Sequence, residues 1–370
     1  MEVVSGIIAG AVGFAFYRAS ASATSLRRLP PRPGRGTCQK HDGKSAIVVP
    51  MRADENSIFL VDVGVEDEKG VVQWVKVAVD TGSESLMIAS SDCAGCEEGR
   101  HLGTIKNDGT VIRRSVVRYG SQKDSVDWKS KNVRLPSWAQ TCDPWDSDGA
   151  LTDAVQCVLG SVPVGVVQER TGSSDYNILG LGSQTSGGPP AVMHALFPGA
   201  KVRAFQIEVH SAREARLILH KPADRCRPPR FRFAVRPKYL GHGHHYLVNV
   251  SALSLYGPGP IGGGEPGTPI DGNFHVLFDT GANALSLPPA VYDKVHSMQS
   301  SYGKLSMTLK SKDDKDVVLN FDYNRRNNQN AQVLRGRSNS MIIVGVTFLI
   351  GHALGFEDHG SHRILTLDFL

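Results

Sequence analysis

The stretch VKVAVDTGS at residues 75–83 is repeated in outline by HVLFDTGA at residues 275–282. In both, an apolar run typical of a β-strand ends in Asp-Thr-Gly. A second short apolar run follows each tripeptide, at residues 86–88 and 285–287. One such unit is an ordinary turn, but two in similar settings predict a protein with two related halves and one carboxylate at the tip of each.

The two tripeptides suit acid–base chemistry. Each Asp ends a strand and is held by rigid backbone, the next Thr has a restricted rotamer that can direct its hydroxyl, and the Gly permits close approach. If the loops face each other, the carboxyl groups share one proton, because like charges in contact do not both ionise. The ionised group can then take a proton from water while the protonated group donates to a carbonyl oxygen, and amide hydrolysis needs both.

Four further stretches of sequence occur in the same order as the motifs of one protein family. Tyr119-Gly120-Ser121 comes after the first Asp loop, residues 177–182 (NILGLG) and 342–348 (IIVGVTF) hold two apolar residues before a glycine, and the chain ends in ILTLDFL at 364–370. With these motifs, residues 56–370 resemble the eukaryotic pepsin-like aspartic peptidases, the known case of carboxyl groups that share a proton. The resemblance implies an all-β, bilobal fold in which two β-barrel-like lobes flank an active-site cleft.

Composition independently indicates a β-rich chain. Apolar residues make up 41% of it, and its 39 Gly and 20 Pro residues suit short strands joined by turns. Alternating or apolar runs predict strands at residues 58–63, 205–209, 217–219, 246–250 and 317–321.

We expect four segments along the chain. Residues 1–23 are a signal peptide or an uncleaved anchor, 24–50 a basic Pro/Gly-rich segment and candidate propeptide, 51–228 the N-terminal lobe and 229–370 the C-terminal lobe. The acidic Glu2 is unusual for a signal peptide. The prediction is a protein that is secreted or in the secretory or vacuolar pathway, and membrane-bound only if the first segment stays uncleaved.

The net charge of +5 belongs to the N-terminus. The first 45 residues hold seven Lys or Arg and two acidic residues, and the remainder holds 34 of each sign. The body of the protein therefore gives no reason to expect a nucleic-acid partner. The basic segment is either a solvated linker or, as in pepsin-like zymogens, a propeptide that covers an acidic cleft. The resemblance implies polypeptide substrates, a monomer, and neither cofactor nor metal.

The resemblance assigns roles within the two Asp loops. Asp80 and Asp279 are the candidate catalytic pair, and Ser83 would hydrogen-bond the outer oxygen of Asp80. The matching residue in the second loop, Ala282, has no hydroxyl. The remaining loop residues form two pairs. Thr81 and Thr280 would brace the two loops, and Gly82 and Gly281 would receive the substrate backbone.

The substrate-binding candidates follow from the same resemblance. Tyr119, Gly120 and Ser121 correspond to the tip of a flap hairpin that closes over the cleft. Ile178 and Ile343 would line apolar pockets on either side of the scissile bond. Two residues depart from the family pattern: Met87 stands where a Trp often partners the flap Tyr, and Gln122 where the flap usually has its second Gly.

Six cysteines suit an oxidising compartment. We predict a disulfide between Cys93 and Cys96, because no second Cys pair at zinc spacing and no βαβ pattern accompanies them. Cys142 with Cys157, and the remaining Cys38 with Cys226, are further candidates among fifteen connectivities. Asn249 begins a glycosylation sequon, Asn-Val-Ser, within a strand-like run.

The sequence thus leads to the hypothesis of an aspartic endopeptidase. It would hydrolyse extended peptides with apolar residues flanking the scissile bond, through a water activated between Asp80 and Asp279. The alternative is a pepsin-fold protein of little or no activity that binds or inhibits another protein. Intact Asp loops favour the enzyme, and the altered flap keeps the alternative open.

Overall fold

A computed structural model describes residues 45–96, 102–119, 122–141, 151–172, 176–182, 191–196, 203–220, 229–235, 246–257, 267–297, 302–324 and 333–370. These residues form mostly β-strands, arranged in two sheets. The prediction of an all-β chain is therefore confirmed. The signal or anchor segment and nearly all of the basic segment lie outside the described residues.

Thirteen strands of the described chain make the first sheet. In chain order they are β1 (Ser45–Ala53), β2 (Phe59–Glu66), β3 (Val72–Asp80), β4 (Leu86–Ala94), β5 (Val111–Tyr119), β6 (Gln122–Thr141), β7 (Leu151–Thr171), β8 (Ile178–Gly180), β9 (Arg203–Val209), β10 (Glu214–His220), β11 (Phe231–Ala234), β20 (His352–Asp358) and β21 (Arg363–Phe369). Their spatial order is β11-β21-β20-β9-β10-β1-β2-β3-β8-β4-β7-β6-β5.

The second sheet contains the remaining strands. They are β12 (Leu247–Tyr256), β13 (Thr268–Pro269), β14 (Phe274–Asp279), β15 (Leu285–Leu287), β16 (Tyr302–Lys310), β17 (Asp316–Asn324), β18 (Val333–Arg335) and β19 (Met341–Gly345). Their order is β17-β16-β12-β14-β19-β15-β18, and β13 pairs with β12. The described helices are short: α1 (Val192–Leu196), α2 (Pro289–Ser297) and a 3-10 turn at Val346–Phe348.

One four-strand unit occurs in both sheets and holds the two Asp loops. In the first sheet β8 lies between β3, its parallel partner, and β4, its antiparallel partner, and β4 pairs in parallel with β7. In the second sheet β19 lies in the same way between β14 and β15, and β15 pairs in parallel with β18. Asp80 is opposite Gly180, and Asp279 is opposite Gly345.

Glycine is required where the central strand passes beneath each loop. A Cβ atom at Gly180 would lie 2.3 Å from the backbone N of Ser85, and one at Gly345 would lie 2.5 Å from the backbone N of Ala284. These distances are too short for any side chain. The backbones are close enough for hydrogen bonds: the Gly180 N–H donates to the Ser85 carbonyl, and the Gly345 N–H donates to the Ala284 carbonyl.

Among the described residues, one main core joins the two sheets, and three smaller clusters of buried residues accompany it. In the main core, Phe205 stacks on Phe356 with ring centroids 4.6 Å apart, and Tyr246 meets Phe356 edge-on at 4.8 Å. One of the smaller clusters, called here the hairpin cluster, packs the β5–β6 hairpin onto β4, β7 and β8. Its members are Met87, Ala89, Cys93, Cys96, Val117, Val126, Trp128, Val167 and Ile178.

The structure contains the predicted disulfide between Cys93 and Cys96. Both cysteines are buried in the hairpin cluster. Cys157 lies in β7, whereas Cys38, Cys142 and Cys226 lie outside the described residues, so the other pairings stay predictions. Among the helices in the described ranges, none combines the length and the apolar character needed to cross a membrane.

Candidate active site

The two Asp-Thr-Gly loops meet, and their threonines make four hydrogen bonds between them. The Thr81 hydroxyl donates to the carbonyl of Phe278 at 2.7 Å, and the Thr280 hydroxyl donates to the carbonyl of Val79 at 2.7 Å. Each hydroxyl also accepts from the opposite threonine: the Thr280 N–H donates to Thr81 Oγ1 at 3.1 Å, and the Thr81 N–H to Thr280 Oγ1 at 3.3 Å. Both threonines are fully buried. The two strand ends are thus fixed relative to each other by reciprocal bonds.

Each loop glycine lies against the carboxyl group of the other loop. A Cβ atom at Gly82 would be 2.8 Å from Asp279 Oδ2, and one at Gly281 would be 2.6 Å from Asp80 Oδ1. Each glycine N–H also donates to its own loop's Asp, Gly82 to Asp80 Oδ1 at 2.7 Å and Gly281 to Asp279 Oδ1 at 3.0 Å. The arrangement is nearly symmetric about the pair.

The two carboxyl groups are buried and close enough to share a hydrogen bond. Burial raises the pKa of Asp80, and this rise is limited by the nearby Ser83 hydroxyl and by hydrogen bonds from Asp279 and the Gly82 N–H. Burial and then the charge of Asp80 raise the pKa of Asp279 well above its ordinary value. The pair therefore loses its two protons in two steps, and the Ser83 hydroxyl beside Asp80, which has no counterpart at Ala282, favours the first charge on Asp80.

The two loops differ at the position three residues after each Asp. The Ser83 hydroxyl is buried and near enough to Asp80 to lower its pKa, although Ser83 Oγ makes no hydrogen bond of normal geometry. Ala282 is half-buried and packs on the apolar residues Leu247, Leu277, Met341 and Ile343. The second carboxyl group therefore has an apolar neighbour where the first has a hydroxyl.

The structure places the two apolar pocket candidates beside different loops. Ile178 is 8% exposed and lies in the hairpin cluster with Met87. It comes two residues before Gly180, which is opposite Asp80. Ile343 is 4% exposed and lies in the cluster that contacts Ala282.

The hairpin tip is only partly described. Tyr119 ends β5 and pairs across the hairpin with Gln122. Gly120 and Ser121, the two residues between them, lie outside the described residues. Gln122 is buried and its side-chain amide donates to Asp124, so it is part of the hairpin's inward face.

Two asparagines support the loops and were not found from the sequence. Buried Asn177 accepts from the Ala89 N–H at 2.8 Å and donates to the carbonyls of Lys76 and Gly103 at 3.2 and 3.0 Å, which ties β4 to β3. Asn283, just after the second loop, donates to the Asn56 carbonyl at 2.9 Å in the turn between β1 and β2. In the sequence, the signals that could have identified them were their positions: Asn177 directly precedes β8, and Asn283 directly follows the second Asp loop.

The sequon residue Asn249 is exposed on β12, and its Oδ1 lies 3.0 Å from Nδ1 of the buried His275. Among the described residues, no group of three His, Cys, Asp or Glu side chains is arranged to hold a metal ion.

Comparison with protein-family models gives no match for this chain, and comparison with curated proteins gives none either. The function of the protein is therefore inferred from the residues described above and their geometry.

Proposed function

We propose that this protein is an aspartic endopeptidase that hydrolyses peptide bonds with a water molecule activated between Asp80 and Asp279. The observation that carries the proposal is the meeting of the two Asp-Thr-Gly loops, which places two buried carboxyl groups in contact. A pair of turns with only a structural role would not need buried carboxyl groups of raised pKa, because burying them is costly.

The ionisation order assigns a role to each aspartate. Asp80, which ionises first, takes a proton from the water while the water oxygen forms a bond to the peptide carbonyl carbon. Asp279, which is protonated, donates to the carbonyl oxygen. When the tetrahedral intermediate collapses, the C–N bond breaks and the leaving nitrogen receives the proton held by Asp80. One hydroxyl of the intermediate returns its proton to Asp279 as the C=O bond forms again. The pair thus returns to a state with one proton.

The pepsin-like bilobal fold is part of the proposal. The four-strand unit that occurs once in each sheet supports two related lobes, expected at residues 51–228 and 229–370, with the cleft between them. An extended peptide would lie in this cleft like an added strand. Ile178 and Ile343 would contact apolar side chains on the two sides of the scissile bond, and Tyr119, Gly120 and Ser121 would close over it.

The cellular setting is proposed on similar grounds. The disulfide between Cys93 and Cys96 suits the secretory pathway, where disulfides persist. The basic residues of the segment at 24–50 would then belong to a propeptide that is removed to expose the cleft. The enzyme would act as a monomer on polypeptides.

The deciding experiment is an assay of the purified protein on an unfolded protein substrate between pH 3 and 7, with products identified by mass spectrometry. We expect endoproteolytic fragments, and we expect a statine peptide, which mimics the tetrahedral intermediate, to abolish them. A protein that binds statine or substrate without cleaving it would instead be the inactive pepsin-fold binder. Cleavage that statine does not inhibit would contradict the proposed chemistry.

The difference between Ser83 and Ala282 leads to a prediction about pH dependence. Activity requires Asp80 ionised and Asp279 protonated, so it falls on the acidic side through the pKa of Asp80 and on the alkaline side through that of Asp279. Ala282→Thr adds a donor near Asp279, lowers its pKa and is expected to move the alkaline limb to lower pH by roughly one unit, the size of one hydrogen bond to a charged group.

The matched variant acts on the other limb. Ser83→Ala removes a donor that lowers the pKa of Asp80 and is expected to move the acidic limb to higher pH, with the alkaline limb less affected. The measurement is kcat/KM against pH for both variants and the wild type. An alkaline limb that Ala282→Thr does not move would show that residue 282 has no influence on Asp279.

A further inference from the structure

The inward face of the β5–β6 hairpin changes from apolar to ionic along β6. Trp128 and Val126 belong to the hairpin cluster, whereas Asp124 and Gln122, the next two residues on the same face, are polar and at most 3% exposed. Alternation along a strand puts all four in one row. The polar end of the row lies at the turn of the hairpin, where Gln122 pairs with Tyr119.

Asp124 is held by a buried cation from the neighbouring strand. Its cross-strand partner on β7 is Arg170, whose Nε lies 3.1 Å from Asp124 Oδ1 and whose Nη2 lies 3.0 Å from Oδ2. Both side chains are 0% exposed. The Gln122 amide also donates to both carboxylate oxygens, at 3.0 and 2.9 Å. The two-point contact fixes the angle between the partners as well as their distance.

Arg170 is itself held from the other side by the disulfide turn. A Cβ atom at Gly95, between Cys93 and Cys96, would be 2.2 Å from the Arg170 carbonyl oxygen, so the turn packs directly on this backbone. Ala94 pairs with Glu169, the residue before Arg170. The contacts therefore run from β4, which begins after the Asp80 loop, through Arg170 and Asp124 to the end of the hairpin.

Stability alone does not explain this set of contacts. Burying an ion pair costs solvation that its attraction often fails to return, and an apolar pair of similar volume is often as stable or more so. Two atoms of the set, Arg170 Nη1 and Gln122 Oε1, are also buried without hydrogen-bond partners, which adds a further cost. What the ion pair provides and an apolar pair does not is a fixed geometry.

We propose that Asp124, Arg170 and Gln122 form a hairpin clamp, a set of positioning residues that fixes the end of the β5–β6 hairpin on β7. This inference rests on the proposed function, in which the hairpin closes over the substrate. These residues act through the hairpin and do not touch the reacting atoms.

The test uses the double variant Asp124→Leu/Arg170→Met in the full-length protein. Because both charges are removed together, it is expected to unfold at a denaturant midpoint close to that of the wild type. Amide hydrogens of residues 111–128 should nevertheless exchange at least about tenfold faster, and statine binding should weaken about tenfold, since a small displacement of a positioning element is enough for this. The midpoints of the pH–rate profile should not move.

Two single variants complete the test. Arg170→Lys keeps the charge but cannot form the two-point contact, so it should show the same faster exchange, and it decides the question if the double variant does not fold. Arg114→Met breaks the ion pair with Asp127 on the same hairpin, where Arg114 is 79% exposed, and should leave exchange and binding unchanged.

If the double variant and Arg170→Lys both keep the exchange rates and the statine affinity of the wild type, the proposed clamp is wrong. The exchange measurement is independent of catalysis. If the wild-type protein neither cleaves peptides nor binds statine, the proposed function fails while hydrogen exchange still decides whether the clamp holds the hairpin.

Discussion

Replacing either Asp80 or Asp279 by Asn is expected to lower kcat/KM for peptide hydrolysis by about 10²–10⁴, the usual contribution of a positioned acid or base. An asparagine at position 80 cannot accept the proton from water, and an asparagine at position 279 cannot release and regain a proton during the cycle. Because Asn has nearly the same volume and shape as Asp, the reciprocal threonine hydrogen bonds between the loops should remain. The measurement is initial cleavage rate on an unfolded protein at the optimum pH.

The control for this prediction is the folded state of each variant, measured by thermal unfolding. Both Asp→Asn variants should be at least as stable as the wild type near neutral pH, since each removes one buried carboxyl group of raised pKa. A variant that stays folded and cleaves at the wild-type rate would refute the assignment of the pair. If only one of the two variants loses activity, the two carboxyl groups do not work as a unit.

Replacing either loop glycine by Ala is expected to lower kcat/KM by about a hundredfold. The new methyl of Gly281→Ala would lie 2.6 Å from Asp80 Oδ1, and that of Gly82→Ala 2.8 Å from Asp279 Oδ2. Each would displace the carboxyl group of the opposite loop, and a misplacement of about 1 Å at the reacting groups has an effect of this size. Substrate backbone that approaches the glycines would be excluded as well.

Gly257→Ala is the matched control, because a Cβ atom at this position would have no heavy atom within 4 Å. Its activity should equal that of the wild type. A crystal structure of Gly281→Ala should show Asp80 rotated or shifted while Asp279 keeps its place. If both loop variants retain full activity, the two loops do not meet in the active protein as they do here.

The local strand pattern and the paired loops could be predicted from the sequence because their signals are local. Short apolar or alternating runs predict strands, and the run at residues 317–321, for example, lies within β17 (Asp316–Asn324). Asp80 and Asp279 stand out because each ends an apolar run and is followed by the same two residues. The glycines at 180 and 345 follow two apolar residues, and the structure shows that no side chain fits beneath the loops there.

Other parts of the site depend on contacts between distant residues that have no local pattern. Asp124 and Arg170 are 46 residues apart, and each looks like an ordinary surface charge in the sequence. They become a buried pair because the long strands β6 and β7 bring them opposite each other. Gln122 stood out in the sequence as a departure from the flap pattern, and only its contact with Asp124 shows what it does. Asn177 and Asn283 lie next to predicted motifs, but their hydrogen-bond partners Lys76 and Asn56 are 101 and 227 residues away, so their roles could not be read from the sequence.

The measurement that tests the central claim most directly is the pH dependence of kcat/KM for the wild-type protein on an extended peptide. A pair that shares one proton predicts a bell-shaped profile, since activity is lost when Asp80 gains a proton and when Asp279 loses one. Because burial raises both pKa values, both limbs should lie above the ordinary pKa of an aspartate. A profile with a single limb, or no cleavage at any pH between 3 and 8, would contradict the shared proton and the proposed peptidase.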